Sequence, residues 1–294
     1  MFNSLFISSY STNIFNTLGV LEQLRKSVSD AVVWNTVGSS SLIIFFKILG
    51  FNYTQTLEKL KELELCNTFI NGFSIMIENE EEKKDYIYDF LTENFDKNKL
   101  VKNKRTLEKI YQITNIFPCF LVWDKVEEKI VNINPKTKPG YDLVDCVMAS
   151  LTGIGTFKEY NIHDRVYSNL QSVDCFPYKE RFNLENKLNT LYIFNDMSTC
   201  FEDFIEDKTP LFELEDEILR QQIDRNKMKL KEVKEEFSDK ELVIVRSNFS
   251  KKEPDNNKID QYFKNGVFQG ESFLLGEDTT IGVKKQNKLI EEQN

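Results

Sequence analysis

An α/β/α three-layer sandwich around a mainly parallel central sheet is the fold this sequence predicts. Three observations predict it. Short apolar, β-branched runs alternate along the chain with segments whose apolar residues recur at helical spacing. The 294 residues give ample chain to bury one large core. Hydrophobic content of 40% and charged content of 29% are those of an ordinary globular protein.

The elements follow in order. Leu5-Phe6-Ile7 reads as a strand, and Asn13–Lys26 as a helix with Phe15, Leu18 and Leu21 on one face. Asp30–Trp34 is a second strand and Ser39–Leu49 a second helix, with Ser39–Ser41 as an N-cap cluster. Residues 53–65 are strongly helix-periodic behind an N-cap at Thr54 or Thr56. Helical segments continue over Glu80–Phe95 and Thr106–Thr114, and strands return at Phe117–Trp123 and Lys129–Ile133. After the turn NPKTKPG, Asp142–Leu151 is a helix, and Arg165–Ser168 and Thr190–Phe194 are strands. Asp216–Phe237 is a long charged helix, Glu241–Val245 a strand and Lys258–Phe268 the last helix. Leu211, Leu214, Ile218 and Ile223 form a stripe that packs on the sheet or docks a partner. One domain is expected over 1–275, followed by a polar tail, 276–294.

Composition narrows function. A net charge of −9 argues against nucleic acid or an anionic bilayer as a partner reached by bulk electrostatics, and a protein or a lipid stays open as partner. Lys47 interrupts the longest apolar run, so no transmembrane segment is expected, and the N-terminus carries no secretory pattern. Five scattered cysteines without a CxxC read as free thiols of a reducing, cytoplasmic setting. Heavy use of Lys, Asn, Ile and Phe is the bias of an AT-rich genome, such as that of a large DNA virus or a protist, and the viral source adds a virion-associated setting as an expectation. His163 is the single histidine, so any triad or His-ligated zinc would have to use it; between two short β-like runs it reads as a loop residue. Asp142, Asp145, Glu127 and Glu128 lack EF-hand spacing, and no metal or other cofactor is expected. Glu78–Glu82 before Lys83-Lys84 reads as a solvated helix start, and Phe45, Phe46, Phe51 and Phe73 as core rather than an acyl pocket.

The stretch Ala31–Gly50 has the strand–turn–helix context of a G-x-S-x-G nucleophile elbow. Upstream, LFISSYSTNIFNTLGVLEQL places Leu18-Gly19 behind a strand and a loop. Downstream lie Leu49-Gly50-Phe51, then Met148-Ala149-Ser150, Phe157, and RVYSNLQSVDCFP closing on Phe176-Pro177. IDQYFKNGVFQGESFL resembles a closing helix–glycine–helix. In order and spacing, residues 4 to 275 resemble a patatin-like phospholipase domain, a family of lipid acyl hydrolases with a Ser-Asp dyad and a glycine-rich oxyanion loop.

The resemblance implies a degenerate site. It puts Gly38 at the nucleophile position, flanked by Thr36 and Ser40 in place of glycines. It puts Asn169 at the aspartate position, with Leu170 and Gln171 for the next glycines. The three oxyanion glycines become Ser9, Tyr10 and Ser11, followed by Asn13 for a basic residue and Ile14 for a glycine. Glycine has no nucleophile, and a neutral amide is no base at neutral pH. The expectation is a non-catalytic scaffold or interaction protein keeping a lipid- or acyl-sized cleft. A shifted register is the alternative: Gly38-Ser39-Ser40 also spells G-x-S, making Ser40 the nucleophile of an active phospholipase A-type hydrolase with Asp174 or Asp164 as base. That register shortens the next helix by two residues, about 200° of rotation for its apolar stripe.

Overall fold

A computed structural model describes residues 1–9, 13–63, 80–152, 157–170, 173–182, 188–196, 210–246 and 258–277. The strands are β1 (Ser4–Ser9), β2 (Val33–Gly38), β3 (Phe117–Asp124), β4 (Lys129–Ile133), β5 (Tyr160–Ile162), β6 (Arg165–Ser168), β7 (Thr190–Asp196) and β8 (Leu242–Arg246). The helices are α1 (Asn13–Gln23), α2 (Ser40–Ile48), α3 (Tyr53–Glu62), α4 (Glu80–Lys97), α5 (Leu107–Thr114), α6 (Leu143–Leu151), α7 (Pro210–Glu236) and α8 (Ile259–Leu275). The strands form one sheet in the order β5-β6-β3-β2-β1-β7-β8, with β4 pairing β3 outside that path. β1, β2, β3, β7 and β8 pair in parallel, and β4, β5 and β6 are antiparallel.

Side-chain alternation divides the interior. Leu5 and Ile7 of β1, Trp34 of β2, Phe120 and Val122 of β3, Leu191 and Ile193 of β7 and Val243 and Val245 of β8 enter one core with α1, α2, α6 and α8. Their neighbours Phe6, Val37, Leu121, Tyr192, Phe194 and Leu242 face the other side, where Leu230 and Val233 of α7 and Phe237 just past its end lie on them. Phe237 stacks on Tyr192 with ring centroids 3.8 Å apart. The described turns of α7 therefore pack on the sheet, while Leu211, Leu214 and Ile218 lie outside the side chains described. Phe45 and Phe46 are fully buried core, with Phe46 edge-on to Phe51; Phe73 lies outside the described residues.

Several boundaries differ from expectation. β2 begins at Val33 and runs on to Gly38, because its two polar residues find distant partners, one in the sheet and one beside it. Thr36 Oγ1 donates to the Cys119 carbonyl at 3.0 Å, and Asn35 Oδ1 accepts from the Phe182 N–H at 2.7 Å. Polarity there hid the strand's second half. The α3 cap is Asn52, which shares a reciprocal capping box with Gln55, and not Thr54 or Thr56. Tyr160–Ile162 is a strand that hairpins onto β6, with His163 at φ 54° in its exposed turn.

The final helix is also longer than expected and unbroken. α8 runs through Gly266 and Gly270 to a left-handed Gly276. These glycines are there for contact with α1 and do not break the helix. A Cβ on Gly19 would lie 2.0 Å from the Phe263 carbonyl oxygen, and one on Gly266 would lie 1.9 Å from that of Asn16. Backbones this close exclude any side chain. Gly19→Ala and Gly266→Ala should each lower stability by about 1–3 kcal/mol, as overpacking does. Gly140→Ala, whose Cβ would meet nothing within 4 Å, should leave the urea midpoint nearly unchanged.

Candidate functional site

Chain order changes direction at β1. The chain moves outward from β1 to β2 and β3, then returns to place β7 on the opposite edge of β1. In open α/β sheets the crevice at the carboxyl ends of such strands is where sites form. Here it is bounded by Ser9 at the end of β1 and Gly38 at the end of β2, which are register partners.

Gly38 adopts φ +65°, the left-handed region. That one residue turns the chain from β2 into α2, a helix buried on nearly all sides. The Ser39 N–H, the residue after the elbow position, donates to the Ser9 carbonyl at 2.8 Å. The hydroxyls of Ser9 and Ser39 are hydrogen-bonded at 2.9 Å. Ser40 is fully buried; its Oγ accepts from the Val37 N–H at 3.0 Å and lies 2.8 and 2.9 Å from the Val37 and Ile7 carbonyls. Among the described residues the Ser40 hydroxyl bonds to backbone only. Ser39 holds the N-cap position with helical angles and no side-chain cap, so the serine cluster fastens the elbow to β1 instead of capping α2. Asn13 and Ile14 form the buried start of α1, whereas Tyr10, Ser11 and Gln171 lie outside the described residues.

Asn169 reaches the same crevice by a strand exchange. β4 holds one edge of β3 from Phe120 to Asp124. The opposite edge is shared: β2 pairs as far as Phe120, and β6 pairs at Trp123 and Asp124. Running antiparallel, the chain leaves Ser168 toward the space vacated by β2, beyond which Val37 and Gly38 lie. Val37, Leu121 and Leu170 meet in one apolar cluster there. The Asn169 side-chain amide donates to the Thr152 carbonyl, and its backbone N–H donates to Thr152 Oγ1 at 2.6 Å. Asn169 is thereby tied to the end of α6.

Asp174 points elsewhere. Its Oδ1 accepts from the Phe176 N–H at 2.9 Å and its Oδ2 pairs with Lys229 Nζ of α7 at 3.0 Å. The adjoining Cys175 carbonyl accepts from Ser8 Oγ at 2.9 Å, which pins this segment to β1. Burial, reinforced by Asp174, pushes the Cys175 thiol up to about 12, so it is protonated at neutral pH. Asp164 sits in the exposed hairpin turn. Asp142 caps α6 and pairs with Arg105, and Glu127 pairs with Lys129 and Arg165.

Sequence reading missed the polar network beside this crevice. Asn195 of β7 is buried; its amide donates to the Ser8 carbonyl and bonds Thr17 Oγ1 of α1. Its own carbonyl accepts from Asn226 Nδ2 of α7 at 3.1 Å. Asp196 pairs with Arg246 Nε at 3.0 Å, and the Arg246 backbone exchanges two hydrogen bonds with the Gln269 side chain. These residues fall in apolar runs or on helix faces with no motif among them.

This is a mixed α/β domain with a central sheet flanked by helices, a patatin-like arrangement. The solved structure of VipD from Legionella pneumophila is similar to it at TM-score 0.54 and 8% identity, over 94% of this chain and 67% of that one. No protein-family model and no curated protein matches the sequence. Among the described residues no helix is long and apolar enough to cross a membrane.

Two measurements test the geometry. Gly38→Ala should cost about 1–2 kcal/mol, because a Cβ in left-handed backbone meets the following carbonyl; urea unfolding reads it. The second concerns the charges joining α7 to the segment 174–178. Burial would raise the Glu232 carboxyl, but hydrogen bonds from Lys179 and Lys229 outweigh it and hold it below its ordinary value of 4.5. Burial would lower the Lys229 ammonium, but Asp174 and Glu232 outweigh it and hold it above 10.5. The depressed acid stabilises the fold above pH 4.5 and loses that contribution as pH falls through its folded value. The raised base stabilises below 10.5 and loses its contribution as pH rises through its folded value. In urea midpoints measured from pH 3 to 11, Glu232→Gln should therefore flatten the acid limb and Lys229→Gln the alkaline one.

Proposed function

We propose that this chain is a catalytically degenerate patatin-like protein that acts as a scaffold or interaction protein and keeps a lipid- or acyl-sized cleft. The observation that carries this reading is the elbow itself. The residue with nucleophile-elbow backbone is Gly38, and the next residue's N–H is occupied by the Ser9 carbonyl. An N–H at that place would otherwise be half of an oxyanion hole, and loss of one such donor costs about 2.7–4 kcal/mol in a reference protease. Asn169 supports the reading further: its amide is not a base, and it is engaged by Thr152. The fold shared with VipD supports a patatin-like ancestry for the frame around these positions.

The test is labelling of the purified protein with a serine-directed fluorophosphonate beside an active serine lipase, with sites mapped by mass spectrometry. No stoichiometric labelling is expected. Labelling at Ser40, together with ester turnover that Ser40→Ala abolishes and Ser39→Ala spares, would overturn the proposal in favour of an acyl hydrolase with a shifted nucleophile.

A further inference from the structure

A second concave feature lies at the opposite end of the sheet from Gly38. The segment 24–29, which links α1 to β2, sits beside the start of β1, where the Phe2 N–H donates to the Ser27 carbonyl at 2.9 Å. From there to the end of β1 is about 17 Å at the rise of a strand. Arg25, Lys26, Val28 and Ser29 of this segment, Lys47 of α2 and Tyr53 of α3 line an open cavity of about 470 Å³.

Its charge is out of keeping with the chain. Three cations line one cavity in a protein of net charge −9. Among the described residues only Arg25 has an acidic partner, Glu22 at 3.5 Å, while Lys26 and Lys47 form no ion pair. The other nearby acid, Asp30, accepts from Ser29 Oγ. Placement of cations behind α1 and in the last turn of α2 suits the helix dipoles singly. It does not account for their convergence around a buried phenol. Tyr53 is only 7% exposed, and its hydroxyl has no hydrogen-bond partner among the described residues. The ring is buried but the hydroxyl oxygen is not sealed off, so it is open to a ligand in the cavity that Tyr53 lines. Lys47 Nζ stands over the Tyr53 ring, 5.9 Å from its centroid, and both residues line the cavity. Burial, with Glu22 adding to it, raises the phenol far above its ordinary value, which keeps it a donor at any physiological pH.

We propose that this cavity binds the phosphate group of an anionic ligand, with Arg25, Lys26 and Lys47 supplying charge and the Tyr53 hydroxyl a directional hydrogen bond. Clustered cations with a guanidinium among them suit a dianion better than a single carboxylate. Val28 and the Tyr53 ring offer apolar surface to the group that carries the phosphate. The proposal is independent of whether the elbow is catalytic.

The experiment is a calorimetric titration of the full chain with inorganic phosphate and with glycerol 3-phosphate at constant ionic strength in chloride. Co-sedimentation with phosphatidic acid vesicles, against phosphatidylcholine vesicles, forms the second arm. Saturable binding is expected, weakened about tenfold or more in Tyr53→Phe and in Lys47→Gln, the loss of one charge-assisted contact. Lys227→Gln on α7 should bind as wild type. Binding in the first arm identifies a soluble phosphate ester, and binding in the vesicle arm alone identifies a lipid headgroup. Either supports the proposal once circular dichroism shows both variants folded. Absence of binding in both arms, or binding unchanged in folded Tyr53→Phe and Lys47→Gln, would overturn it.

Discussion

The turn at Gly38 holds the centre of this molecule in place. A parallel strand buried on both faces must hand over to a helix buried nearly all round, with no loop to spare. The change of direction is made at one residue with φ +65°. Because Ser9 is the register partner of Gly38, the turn is closed by bonds from β1: the Ser9 carbonyl to the Ser39 N–H, and hydroxyl to hydroxyl. Ser40 adds bonds to Val37 and Ile7. An apolar residue at Ser40 would take the bonding partner from the buried Val37 N–H, at about 1–3 kcal/mol, and one at Ser9 or Ser39 would break the hydroxyl pair. The geometry that an acyl hydrolase uses to expose a nucleophile here fastens two strands and a helix to one another.

That fastening shapes the surroundings. Asn169 arrives where β2 leaves the edge of β3 and is held by Thr152 at the end of α6. On the other face, Asp174 and Cys175 are drawn to α7 and β1 through Lys229 and Ser8. Asn195 joins β1, α1 and α7 in one buried network. Ser9, Ser39, Ser40, Asn169, Asp174 and Asn195 at the carboxyl end of the sheet are thus recruited into structure, and that is the physical content of a scaffold reading. The amino end differs, since among the described residues Lys26 and Lys47 have no ion pair there and the Tyr53 hydroxyl has no hydrogen bond.

Much of the frame was legible in the chain. Apolar runs marked β1, β3, β4, β7 and β8, and helical periodicity marked α1 to α6, because burial of one face imposes a period. Legibility failed where polar side chains were satisfied by distant partners. The second half of β2 contains Asn35 and Thr36, whose bonds go to residues 182 and 119. It failed again in α8, where Gly266 resembled a break but serves a helix crossing whose partner, α1, lies about 240 residues away in sequence.

The sequence by itself determined which chemistry each position carries: a glycine without a nucleophile at 38, an amide at 169, hydroxyls at 9, 39 and 40. Local periodicity determined the order of strands and helices, since both are set by near neighbours. Only the tertiary structure decided which of these groups meet. The exchange of β2 for β6 on one edge of β3 brings Asn169 toward Gly38 across about 130 residues of chain. The convergence of Arg25, Lys26, Lys47 and Tyr53 on one cavity likewise depends on how α1, α2 and α3 pack, a long-range outcome with no local signature.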